Sequence, residues 1–243
     1  MAVSARVEKL FEMVFEDAEL LVVNKPAGLV CHPTKNGELS SLIGRARLYL
    51  GATARPHLVN RLDRETSGVV IVAKKSDIAG ELGKIWETRA VEKEYLAIVH
   101  GCVRNEYGFV DNPLGKDEQS LVAVKDRVHS DGAPSQTEFW VEQRFNREEG
   151  DFSLLRVVPR TGRKHQIRIH LAHIGHSIVG DKLYGGDEDL YLALVQNRLT
   201  SEQRARLIFE NHALHARAIR FIWRGQPVEF SCEPELWFRE FIR

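Results

Sequence analysis

The sequence predicts an α+β fold built on a mixed, mainly antiparallel central β-sheet with flanking helices. Short apolar runs bounded by Gly, Pro, Asn or charged turns recur along the chain and outnumber the segments with helical periodicity. Several gaps between these runs have hairpin length, too short for the helical crossovers that parallel neighbours require.

Residues 20–23 read as the first strand, closed by Asn24-Lys25-Pro26-Ala27-Gly28, where Pro and Gly force a turn. Residues 40–50 read as a short helix with Ser40 or Ser41 as its cap. The run 69–73 is a strand, and the spacing of Ile78, Leu82, Ile85 and Trp86 predicts a helix over 77–89. Residues 93–100, closed by Gly101, read as a buried strand. Charged and turn residues dominate 103–133, which predicts hairpins there. Strands follow at 136–143 and 152–158, joined by a charged turn at 146–151. A helix over 163–173 stops at Gly175, a charged helix covers 201–209, and two last strands lie near 215–222 and 227–230. No repeat, low-complexity stretch or long linker divides the chain, so residues 1–243 are expected to form one catalytic domain.

Lys plus Arg balance Asp plus Glu at 34 each, so no global field draws the chain to nucleic acid. The distribution is uneven: between Arg160 and Lys182, Arg163, Lys164 and Arg168 add to the positive charge and Asp181 is the one acid. Such local charge suits a strand-binding face. Acids crowd the stretch from Glu8 to Glu19 instead. Cys31, Cys102 and Cys232 are far apart and lack a metal-finger spacing, which reads as reduced thiols in a cytoplasmic protein. No apolar stretch has membrane-spanning length, and the N-terminal segment is too polar for a signal peptide.

The most informative segment is Arg61-Leu62-Asp63-Arg64-Glu65-Thr66-Ser67-Gly68, which sets a carboxylate between two guanidiniums just before the strand at 69–73. Flanking cations favour the ionised form, making Asp63 an acceptor or nucleophile rather than a proton donor. The same pattern also describes an ion pair that merely fixes a loop. The arginines suit phosphate and hence a nucleic-acid substrate.

A second constellation runs from Thr161-Gly162-Arg163-Lys164-His165-Gln166 to Ile167-Arg168-Ile169-His170. Read as a helix, it puts Lys164, Ile167, Arg168 and Leu171 on one side, so Arg168 could project over the sheet and aim a carboxylate. A helix ion pair without catalytic role has the same spacing. His165, His170, His173 and His176 invite a metal, but four cationic residues share the segment with one acid, which suits an anion better. Tyr95 interrupts an apolar strand: it is either a core ring with a satisfied hydroxyl or a ring that stacks on a flipped base.

Taken in order, the chain carries Val22-Val23-Asn24-Lys25-Pro26-Ala27-Gly28, then the Asp63 segment, Lys93-Glu94-Tyr95-Leu96-Ala97, the Thr161–Arg168 segment, Gly180-Asp181-Lys182-Leu183-Tyr184-Gly185 and Leu214-His215-Ala216. This series closely resembles the RluA-type pseudouridine synthases, which isomerise uridine in ribosomal or transfer RNA, and the resemblance runs from about residue 19 to about residue 230. It implies a central RNA cleft, catalysis by Asp63, contact of Tyr95 with the target base, and pairing of Arg168 with Asp63. It further implies that Arg61 enters the RNA beside the flipped nucleotide. Arg61, Arg64, Thr66, Arg163, Lys164, His165 and Gln166 are expected on the RNA-binding side. Neither a metal nor an organic cofactor is implied. RNA is the expected partner, and a monomer is expected because no interface pattern stands out.

Two departures stand against the family pattern. Many relatives carry His before Arg-Leu-Asp, where this chain has Asn60, and His57 is not equivalent to it. Many also carry an N-terminal S4 domain, whereas here the first motif begins near residue 20. RNA recognition is therefore expected from the catalytic domain and from insertions such as 103–133 and 186–211.

Overall fold

The computed structural model describes residues 10–33, 38–51 and 53–243; residues 1–9, with Glu8 and the start of the polar N-terminal segment, lie outside them. The chain opens with a hairpin of β1 (Glu12–Glu16) and β2 (Leu20–Lys25). Asp17 makes its turn by accepting the Glu19 and Leu20 amides, each at 2.7 Å. Helix α1 (Leu42–Leu50) follows, and of the two serines it is Ser41 that caps it, accepting Gly44 N at 3.2 Å. A short β3 (His57–Leu58) leads into β4 (Ser67–Ala73).

Helix α2 (Ser76–Glu87) stops short of the expected residue 89 because Arg89 turns left-handed at φ 58°. After β5 (Glu92–His100) comes β6 (Tyr107–Asp111), and the expected hairpin within 103–133 is β7 (Leu114–Lys116) with β8 (Asp126–Val128). Strands β9 (Gln136–Arg147) and β10 (Gly150–Pro159) run straight through the expected turn at 146–151, leaving two residues to reverse the chain.

Helix α3 is shorter than expected, Gln166–His173 rather than 163–173. His165 sits in the left-handed region (φ 55°) and Gln166 Oε1 accepts Arg163 N at 3.0 Å, which ties residues 163–166 into a turn. Lys164 therefore does not share a helix face with Ile167, Arg168 and Leu171. Two short helices, α4 (Asp189–Val195) and α5 (Ser201–Leu207), fill the later insertion, and α5 ends before the expected 209 because Ile208 is left-handed. Strands β11 (Leu214–Trp223) and β12 (Gln226–Ser231) and a terminal α6 (Leu236–Phe241) complete the order.

Ten strands make one sheet in the order β1-β2-β4-β11-β5-β10-β9-β6, with β12 on β11 and β3 on β4. Every pairing is antiparallel except β11 with β4, so the sheet is mixed and mainly antiparallel, as expected. Alternation along β2 and β4 serves both faces. Leu21, Val23, Val70 and Val72 pack under Leu42, Ile43 and Ala46 of α1, while Leu20, Val22, Val69 and Ile71 meet Ile78 and Leu82 of α2. The other half of the sheet packs Ile167 and Leu171 of α3 and Phe238 of α6. Tyr95 touches the clusters of both halves, and the functional cleft opens at that seam. The three thiols are unpaired, and no helix among the described residues is long and apolar enough to cross a membrane.

Candidate active site

A cleft of about 850 Å³ lies over this seam, walled by the loop before β4, the turn before α3 and side chains of β5. Asp63 is on the first of these loops, which is tied on every side. Its neighbour Asn60 donates to Val69 O (3.1 Å) and accepts Ile71 N (2.8 Å), so it serves as a strand edge for β4. The fully buried Lys25 donates to Pro26 O, Leu29 O and Arg64 O at 2.9, 2.7 and 3.0 Å, stitching the first turn to the Asp63 loop. Glu65 accepts Lys182 Nζ (2.8 Å) and His212 N (3.1 Å), and Thr66 Oγ1 bonds His212 Nε2 at 2.7 Å. Thr66 N closes the turn onto Asp63 O at 3.2 Å. What remains free is the Asp63 carboxylate, one-third exposed at 33%.

The cation that meets it comes from α3. Arg168 Nη1 donates to Asp63 Oδ2 at 3.1 Å, while Nε and Nη2 form a two-point pair with Asp181 at 2.7 and 2.9 Å. Asp181 is itself fixed, Oδ1 accepting the Leu183 and Tyr184 amides at 2.9 and 3.0 Å. The guanidinium also lies 5.0 Å from the centre of the Tyr184 ring. One edge of Arg168 is thus locked, and one N–H is left to aim Asp63.

The charges follow from this packing. Burial pushes the Asp63 carboxyl up, but His165, in acid where it is protonated, and Arg168 outweigh it and hold the group below the usual carboxylate range. His165 is itself lowered to about 4 by burial and by Arg168, so at neutral pH it is uncharged and Arg168 keeps Asp63 ionised. Flanking Arg61 and Arg64, expected to do this, do not: Arg64 Nε bonds Gly28 O at 3.2 Å, and Arg61 makes no ion pair or side-chain hydrogen bond among the described residues. Burial against Asp63 raises the Tyr95 hydroxyl, which stays protonated. The cleft therefore offers a fixed carboxylate, a neutral phenol and an aromatic ring on a half-buried floor, a set suited to attack or proton removal next to a planar ligand.

An RNA pseudouridylate synthase family model matches residues 19–173, the span that carries Asp63, Tyr95 and Arg168. The chain belongs to the RNA pseudouridylate synthase family. It is 36% identical over 232 residues to ribosomal large subunit pseudouridine synthase D of Zymomonas mobilis, covering 91% of this chain and 68% of that one. It is 38% identical over 180 residues to an uncharacterized RNA pseudouridine synthase of Aquifex aeolicus, covering 71% of this chain and 55% of the relative. The chain thus spans between 55% and 68% of the length of these two relatives. Among solved structures, human RNA pseudouridylate synthase domain containing 4 superposes with a TM-score of 0.72 at 27% identity, over 94% of this chain and 90% of that one. The human domain containing 1 protein gives 0.73 at 25% identity, over 93% and 83%. The mixed sheet described above is the pseudouridylate synthase architecture.

The family motifs distribute unevenly around the cleft. Asp63, Tyr95, Arg168, Arg61, Arg64, Arg163, Lys164 and His165 all line it. Gln166 and Thr66 also border it, but both are buried, and their side-chain groups are occupied. Gln166 accepts Thr161 Oγ1 and Arg163 N and donates to Gln136 O and Thr137 Oγ1, so it shapes the turn and leaves no free atom for a ligand. Lys164 is exposed but pairs with Asp126 at 2.9 Å. The histidines weighed as a metal set diverge: His165 bonds Tyr184, His170 bonds Thr137 and Asn112, and His176 bonds His100 O. Sequence reasoning missed Asp181 as the partner of Arg168, although its place as the one acid among cations was visible. It also missed Lys25 and His212, whose roles depend on contacts across the sheet.

Proposed function

We propose that the chain converts uridine to pseudouridine in ribosomal or transfer RNA, with Asp63 as the catalytic carboxylate. The observation that carries this reading is the ionised Asp63, aimed into the cleft by Arg168 beside the Tyr95 ring. A uridine flipped from its strand would lay its base against Tyr95 and bring its ribose to Asp63. The carboxylate can bond to C1′ or take the proton from C2′; on either route the N1–C1′ bond breaks. The uracil turns and C5 bonds to C1′. On the first route this displaces the Asp63 oxygen from C1′; on the second it is accompanied by return of the proton from Asp63 to C2′. The C5 proton leaves and N1 gains one, so the product is an isomer, Asp63 is regenerated and no cofactor is consumed. The unionised Tyr95 hydroxyl can relay the C5 proton through its lone pair. Arg61, exposed and without a partner among the described residues, suits the gap left by the flipped nucleotide.

The test is pseudouridine mapping of total RNA by carbodiimide treatment and primer extension. It compares cells with the gene, without it, and with Asp63→Ala. A site lost in both altered strains is the expected result and names the substrate. Purified Asp63→Asn should lose turnover by at least about a thousandfold and keep its fold, because Arg168 remains paired with Asp181. Near-normal turnover by Asp63→Asn would remove the catalytic assignment.

A further inference from the structure

Two of the buried lysines have a full set of acceptors. Lys25 holds three carbonyls, and Lys182 holds Glu65 together with the Gly180 and Glu210 carbonyls. Lys93 is the exception. It is half-buried in the cleft wall, yet it makes no hydrogen bond or ion pair among the described residues. Burial alone lowers its pKa, with no anion near enough to oppose the shift. Leaving an ammonium partly desolvated and unpaired is costly unless a ligand supplies the missing anion.

Its position says which anion. Lys93 lies two residues before Tyr95 on β5, so both side chains leave the same face of the sheet, about 7 Å apart along the strand. Glu94 between them points to the opposite face, where Arg156, Arg217 and Arg220 surround it, and so cannot neutralise Lys93. The Lys93 ammonium lies close beside Gly162, where an added Cβ would stand 3.4 Å from Nζ, and the next residue is the exposed Arg163. A base on Tyr95 would thus place its own strand's backbone about one nucleotide step from an unpaired cation.

We propose that Lys93 is a substrate-positioning residue that binds the phosphodiester adjoining the flipped nucleotide, with the Gly162 turn flanking that subsite. The assignment rests on the reading of the cleft as an RNA site, but not on its turning over. Lys93 anchors the strand while Asp63 acts on the sugar, so its loss weakens binding and productive placement rather than the chemical step.

The experiment measures binding of unmodified tRNA and large-subunit rRNA transcripts by the wild type, Lys93→Met and Lys93→Arg across a salt series. Thermal melts and single-turnover pseudouridine formation are followed in parallel. Lys93→Met should bind about five- to tenfold more weakly at low salt and lose about 0.7 to 1 from the slope of log affinity against log salt. Lys93→Arg should restore the slope, and the melts of all three should coincide or rise in Lys93→Met. A wild-type slope in Lys93→Met overturns the proposal, as does a wild type that binds neither transcript. If the wild type binds RNA with the expected slopes but forms no pseudouridine, the isomerase reading fails and the phosphate site stands. If pseudouridine forms and Lys93→Met leaves both slope and half-saturation unchanged, the reverse holds.

Discussion

At the scale of single residues, the site is built around one shared guanidinium. Arg168 is almost wholly enclosed, at 9% side-chain exposure, and its partner Asp181 is at 0%, so neither charge can be removed without stranding the other. Asp181→Asn should destabilise the protein by about 3–5 kcal/mol. It should also slow turnover, because Arg168 would lose the lock that directs its remaining N–H at Asp63. Denaturant unfolding with single-turnover kinetics checks both, and unchanged values would show that Arg168 is positioned by something else. The sequence singles out Asp63, Tyr95 and Arg168 by their place in ordered motifs, and the structure brings the three to one cleft. Adjacency in sequence offers Arg61 and Arg64 as further cations for Asp63 beside Arg168, but it is Arg168 that pairs with it. In space Arg64 Nε is drawn to Gly28 O, Arg61 makes no ion pair among the described residues, and α3 brings Arg168 across 105 positions. Gln166 was misread for the same reason: its motif neighbours face the cleft, while its amide closes their turn.

Among the elements, the joint between β4 and β11 has the least tolerance. These strands pair in parallel, His215 beside Ser67 and Ala216 beside Gly68. Gly68 has φ 118°, and a Cβ there would stand 2.2 Å from Ala216 O. Gly68→Ala should therefore cost about 3 kcal/mol or more, read as a lowered unfolding midpoint, and it should disturb Asp63 by shifting the loop just upstream. A midpoint equal to that of the wild type would mean that β11 yields at no cost. Strands with long apolar runs were legible, since β2, β4 and β5 announce themselves by composition. The short β1 and β3, and helices α4 and α6, were not seen, because too few residues repeat for a period to emerge. Helix ends were overextended wherever a left-handed residue such as Arg89 or Ile208 halted the chain, a conformation that non-glycine side chains do not advertise.

For the molecule as a whole, acid sensitivity follows from buried imidazoles. Burial lowers His212 to about 3, and His165 and His215 to about 4, against an ordinary value near 6.5. His215 is held neutral between Ser67 Oγ at 2.9 Å and Cys232 O at 3.1 Å, and the Nδ1 of His212 has no hydrogen-bond partner among the described residues. Below about pH 6.5 the unfolded chain binds protons that the folded one refuses until much lower pH. Stability is therefore full above that pH and falls as the solution is acidified, by up to about 1.4 kcal/mol per pH unit for each group. Asp63 and Asp181, lowered in the folded state, add their losses only at still lower pH, below the ordinary carboxylate value. Melting midpoints measured from pH 8 to pH 5 should drop steadily; a flat profile would place protons on these imidazoles in the native state. The fold class was legible because strands outnumber helices and hairpin gaps dominate. The sheet order was not, since nothing local in 214–223 says that it pairs with residues near 67.

That late strand has a consequence for synthesis. β11 separates β4 from β5 in the sheet, so the earlier strands on its two sides, β1-β2-β4 and β5-β10-β9-β6, have no shared hydrogen-bonded neighbour until residues 214–216 arrive. A nascent chain leaves the ribosome N-terminus first and can form its hairpins as it emerges, but the two half-sheets can close around one cleft only after β11 has emerged. If the chain acts on RNA as proposed, it would thus stay inert until that strand has been made.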